Sequence, residues 1–195
     1  VRATLAGLKT QTRRPLRNQP PSGGYHLVRV CGPWAEFEND GPTLAKYSTK
    51  SPLGEAGDQL WVRETYKWAD AKDDGVNQSV VVAYRADDKT MDIECSLAVH
   101  DGVVCAIESE EVCGERWRPS IHMPRWACRL VLPLVSVRVE RLRGITEDDA
   151  KAEGVEPIGG SYREGFREVW QSIYGTWDAN PWVWVAEWKE IEVRK

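Results

Sequence analysis

The stretch "GLKTQTRRP", residues 7–15, sets an amine (Lys9), a hydroxyl (Thr12) and two guanidinium groups (Arg13, Arg14) within six positions. A free threonine hydroxyl is a poor nucleophile at neutral pH and needs a neighbour that accepts its proton. Lys9 could be that neighbour. It would have to act as the free amine, which burial and the nearby Arg14 favour because both oppose an added positive charge. Arg14 could then hold an oxyanion. The same residues could equally form a basic helix end that grips phosphate without breaking a bond.

The chain has 195 residues and net charge -4, with 42% apolar residues and ten tryptophans. That is enough apolar mass for a folded domain rather than a disordered chain. The charge is segregated. Residues 1–18 hold five bases and no acid, residues 116–130 hold four arginines and no acid, and residues 64–115 hold thirteen acids against four bases. Net charge therefore argues against nucleic-acid binding while its distribution allows it. Five cysteines without a C-x-x-C pair read as reduced thiols rather than a disulfide framework. A zinc site from Cys105, Cys113 and His122 is the weaker reading, so neither metal nor cofactor is expected. No run reaches the ~18 to 20 apolar residues of a membrane helix, and no leader pattern is visible. The expected setting is the cytoplasm.

The elements that must position the opening stretch are mostly strands. "VRATLAGL" reads as a short helix, "PLRNQPPSGG" as a loop, and "YHLVRV" as a strand; residues 32–58 read as largely irregular. "GDQLWVRETYKW" (57–68) and "SVVVAY" (79–84) read as neighbouring strands. "IECSLAV" and "VVCAIE" flank His100-Asp101-Gly102 as a hairpin. "ACRLVLPLVSVRVERL" (127–142) is a long strand whose Pro133 implies a bulge or an edge. Thr146 caps the helix "EDDAKAEG", which Gly154 stops. "YREGFREVWQSIYG" spaces Phe166, Val169, Trp170 and Ile173 as a helix, and "WVWVAEWKEIEV" closes as an alternating strand with Trp182, Trp184 and Trp188 on one face. The class is mainly β with short helices (α+β).

Gly7-x-Lys9-x-x-Thr12-x-Arg14 resembles the G-x-K-x-x-T-x-R signature of the ASCH family, a branch of the PUA-like barrels. Gly57-Asp58 before "QLWV", the helix "EDDAKAEG" and the strand "WVWVAEW" follow in that family's order. "GDQLWVRETY", "RWRPSIHMPRWACR" and "NPWVWVAEW" look like its larger, phage-associated members, which would place the protein in a host-cell cytoplasm. The resemblance implies one PUA-like β-barrel domain over 1–195, with an elaborating insertion, including the hairpin, at about 66–115. It also implies hydrolysis of N4-acylated cytosine nucleosides such as N4-acetylcytidine without metal, through Lys9, Thr12 and a helix glutamate, Glu153, with Glu147 as rival.

The alternative is a non-catalytic module that binds RNA or single-stranded DNA and reads a modified base. For it, "RWRPSIHMPRWACR" offers Arg118, His122 and Arg125 to phosphates, with Trp117 and Trp126 either stacking on bases or anchoring the core. Arg13 joins Arg14 among the binding candidates. Glu64 could read a base edge or face solvent, and Trp61 could line the pocket or the core.

Overall fold

The computed structural model describes every residue except 22, 23, 42–44, 114, 115, 190, 191, 194 and 195, and for 108–113, 192 and 193 the backbone alone. In chain order the elements are α1 (Arg2–Leu5), β1 (Gln11–Pro15), β2 (Tyr25–Cys31), β3 (Trp34–Asn39), β4 (Lys46–Lys50) and β5 (Gln59–Trp61). There follow β6 (Tyr66–Asp73), β7 (Gln78–Tyr84), β8 (Thr90–Glu94), α2 (Leu97–Cys113), β9 (Leu130–Arg141), α3 (Glu147–Ala152), α4 (Tyr162–Tyr174), β10 (Trp182–Trp188) and β11 (Glu192–Val193). The protein is mainly β with short helices, and its five-stranded sheet curls as half a barrel. No helix among the described residues is long and apolar enough to cross a membrane.

The chain divides into two compact units, residues 3–60 with 132–191, and residues 1–2, 61–131 and 192–195. The first, here the signature unit, lays β1 antiparallel on β10 and β10 antiparallel on β9. β10 is buried on both faces. Val183 and Val185 pack with Phe166, Trp170 and Trp177 beneath the helices, while Trp184 packs with Leu16, Phe37 and Val139 on the other side. The expected one-sided tryptophan strand is thus a central strand, and the register slip between Glu187 and Trp188 takes Trp188 off the simple alternation. Residues 32–58 are more ordered than expected: β2, β3 and β4 form an antiparallel meander in which Ala35 and Phe37 are fully buried. Its polar alternation marks strands with one solvated face.

Helix α3 begins as its sequence predicts. Thr146 Oγ1 accepts from the Asp149 amide and the Asp149 side chain accepts from the Thr146 amide, a reciprocal cap. Gly154 ends the segment at φ +71, and a Cβ there would lie 2.9 Å from the Lys9 Cβ. In α4, Gly165 lets the helix close on the chain beside it, because a Cβ would lie 2.0 Å from the Glu156 carbonyl oxygen.

In the 61–131 unit, β6, β7 and β8 form an antiparallel sheet, so the expected pairing of the segments at 57–68 and 79–84 runs through β6 and β7. The expected hairpin around His100-Asp101-Gly102 instead lies within the first two turns of α2. The Asp-Gly turn signal loses to packing: Val103 is buried in the core cluster that holds Val80, Val82 and Tyr84, and Ile107, four residues on, packs against that cluster.

Two glycine substitutions should therefore act with opposite signs. Gly102→Ala meets open space inside a helix and should stabilise the protein by ~0.5–1 kcal/mol, where a hairpin turn would lose stability. Gly165→Ala should destabilise by ~1–3 kcal/mol through overpacking. Urea midpoints of the two variants check both.

Candidate active site

Lys9 and Glu153, 144 positions apart, meet in the signature unit. An isolated antiparallel bridge joins their backbones, and the Thr10 amide donates to the Ala152 carbonyl at 2.8 Å. The Lys9 ammonium then donates to the Glu153 carboxylate at 2.7 Å and to the Glu153 carbonyl at 2.8 Å. Glu153 is buried at the C-terminal end of α3, while a quarter of the Lys9 side chain stays exposed. A buried carboxylate requires such a partner.

Glu147 has a different task. Its carboxylate accepts from the Ser161 hydroxyl and from the amides of Tyr162 and Arg163, so it caps α4. The Ser161 hydroxyl first, then those amides, hold it below the usual glutamate range. Of the two glutamates proposed from sequence, Glu153 is the one beside Lys9.

Arg13 is not a surface cation. Its side chain has no exposed area, and its guanidinium donates to Glu140 at 2.7 and 3.0 Å and to the Gln11 amide oxygen. It also lies 3.4 Å from both Glu153 and Asp149. Gln11 donates in turn to Asp149 and Glu187, and Arg138 pairs with Glu140, Asp149 and Glu187. Counting Lys9, three cations face four carboxylates here. The expectation that Arg13 binds substrate or phosphate is corrected: an internal ion network consumes it. The missed members, Gln11, Arg138, Glu140, Asp149 and Glu187, had one signal in the sequence, the alternation "SVRVE", which puts Arg138 and Glu140 on one strand face.

Thr12 is 93% removed from solvent, and its hydroxyl has no hydrogen-bond partner among the described residues. Alternation along β1 sends Gln11 and Arg13 toward the helices and Thr12 to the opposite face, beside Ala186 of β10. No hydrogen bond joins Thr12 to Lys9 or Glu153. Arg14 is exposed and donates to the Arg13 carbonyl at 2.9 Å.

The remaining predicted residues belong to the 61–131 unit. Glu64 does not reach for a base: its carboxylate has no exposed area and takes both ends of the Arg129 fork at 2.8 Å, while Arg129 also grips Asp87 and lies 4.1 Å over the Tyr84 ring. Burial acts to lower the Arg129 pKa, but the bonds to Glu64 and Asp87 outweigh it and raise it. Trp61 packs against the core cluster with Arg63 over its ring at 4.6 Å. Trp126 stacks on Trp68 in that same core, so it is an anchor. Arg118 pairs its backbone with Tyr66 and lies over Trp68; Arg125 and His122 are exposed, the latter accepting from the Tyr66 hydroxyl through its carbonyl. Cys105 is exposed, the Cys113 side chain lies outside the described residues, and no metal-binding group of three or more ligands exists among those described.

No protein-family model, curated protein or solved structure matches the chain.

Burial works against the charged form of Asp149, but bonds from Gln11 and Thr146 and the charge of Arg13 outweigh it and hold its pKa down. Glu187 is likewise opposed by burial and held down by Arg138. A depressed carboxylate contributes stability above its unfolded pKa, about 4, and loses it as pH falls through the lower folded value. Stability of the wild type should therefore drop on acidification below pH ~4. Asp149→Asn should be less stable at pH 7 yet show a flatter loss between pH 5 and 2, read from denaturant midpoints at each pH.

Proposed function

We propose that the protein is a PUA-like barrel of the ASCH type that hydrolyses N4-acyl groups from cytosine nucleosides. The observation that carries the reading is the Lys9–Glu153 ion pair: a base-capable amine and a buried acid that meet across 144 positions. The enclosed, unpartnered Thr12 hydroxyl supports it. Leaving a buried polar group unmatched costs about 1–3 kcal/mol, and a catalytic role is one reason such a group is kept.

In this reading the ion pair is a proton relay. Lys9 passes a proton to Glu153, and the resulting amine takes the proton of Thr12 as its oxygen bonds to the acyl carbon. Glu153 then protonates N4 as the C–N4 bond breaks and the cytosine amine leaves. Water attacks the acyl-threonine with the same groups in reversed roles, breaking the C–O bond to Thr12 and releasing a carboxylic acid. Lys9 precedes β1, so its flexible stem is not tied to the strand's alternation. Catalytic hydrogen bonds often tighten only around substrate.

A second reading, a single-strand nucleic-acid module, draws on the 61–131 unit, where Arg63 lies over Trp61 and Arg85 over Trp117. Aromatic rings flanked by cations suit stacked bases and phosphates.

Thr12→Val separates the readings. It keeps the shape of the side chain and removes the unmatched hydroxyl, so stability should rise by about 1 kcal/mol while release of acyl groups from N4-acylcytidines, followed by absorbance, falls at least about a thousandfold. A folded wild type without turnover would overturn the hydrolase reading in favour of binding, whose mark is salt-sensitive affinity that drops in Arg125→Ala.

A further inference from the structure

A cleft of about 600 Å³ opens in the signature unit beside β1 and α4, and Thr12 is not among its lining residues. Its floor includes Lys9 and Arg14, and its walls include Ile158, Val169 and Ile173. Helix α4 has apolar residues at 166, 169, 170 and 173, but only Phe166 and Trp170 are covered. Val169 is 43% exposed, Ile173 64% and Ile158 42%. Single exposed apolar side chains are ordinary, whereas three lining one cleft form a surface that a ligand can cover.

The polar floor says which ligand. Glu153 is matched by Lys9 and Arg13. The Lys9 ammonium has three N–H groups, two of which donate to Glu153; the third has no partner among the described residues. Arg14 gives one N–H to the Arg13 carbonyl and has no carboxylate within ion-pair distance among the described residues. Three acids, Glu153, Glu156 and Glu168, line the cleft against three cations, Lys9, Arg13 and Arg14. They offset the cations enough to disfavour a multiply charged phosphate. A planar guanidinium with free N–H groups fits a single carboxylate.

We propose that this cleft binds a monocarboxylate on an apolar body, such as a medium-chain fatty acid or an aryl acid. The carboxylate sits on Arg14 and the free N–H of Lys9, and the body lies along Ile158, Val169 and Ile173. The site shares Lys9 with the hydrolase reading but uses neither Thr12 nor any bond-breaking step, so its binding test stands or fails without turnover.

Octanoate titrated into methyl-labelled protein tests it by NMR. The expected result is saturable shifts of the Ile158, Val169 and Ile173 methyl signals, with affinity at least about tenfold weaker for acetate, which lacks the body, and for 1-octanol, which lacks the charge. Arg14→Ala and Ile173→Asp, both at exposed side chains, should each weaken octanoate about tenfold or more with unchanged thermal midpoints. Absence of saturable shifts overturns the proposal. So does 1-octanol binding as tightly as octanoate, or affinity indifferent to both substitutions.

Discussion

The buried guanidinium of Arg13 is the constraint on which the signature unit depends. A charge with no exposed area must be matched where it lies, because breaking such a network strands charge in a poorly solvated interior at about 3–5 kcal/mol. Its partners come from three places: Glu140 on β9, Asp149 in α3, and Glu153 at the end of α3. One side chain on β1 thereby ties the opening stretch to the sheet and to the helix that follows it. The placement of Glu153 beside Lys9 is a consequence of that tie. One carboxylate oxygen of Glu153 faces Arg13 and the other faces Lys9.

The 61–131 unit uses the same device. Arg129 is held between Glu64 and Asp87 above the Tyr84 ring, next to a core of Val80, Val82, Val103 and Met123. Arginine suits both positions for one reason: its fork satisfies two carboxylates at once, and its weakly hydrated plane packs on aromatic rings. In the 61–131 unit the acid that the sequence offered to a base edge, Glu64, is the counter-ion of a buried arginine.

That pattern explains which parts of the structure were legible in the sequence. Elements with local signals were: the Thr146–Asp149 cap, the Gly154 stop, and the β-branched run of β7 are each encoded within a few neighbouring residues. Long-range matches were not. Nothing near Glu64 announces that Arg129, 65 positions on, will bury it, and nothing near Arg13 announces Glu140, 127 positions on. The Asp-Gly pair in α2 is a local signal that packing overrode, since the helix that contains it covers β6 and β7. Periodicity in α4 identified the helix but not that Val169 and Ile173 would lie open on the cleft. Lys9 and Thr12 were legible as residue types and spacing; their opposite surroundings came from the fold, the bridge to Glu153 for Lys9 and the register of β1 for Thr12.

The most direct test of this account is a double-mutant cycle on stability with Lys9→Met, Glu153→Gln and the pair. A true partnership at 2.7 Å, mostly shielded from water, predicts that the double variant is less destabilised than the sum of the singles, by a coupling of about 1–3 kcal/mol. Additive losses, with coupling below about 0.3 kcal/mol, would contradict it, leaving Lys9 and Glu153 as neighbours without a joint role.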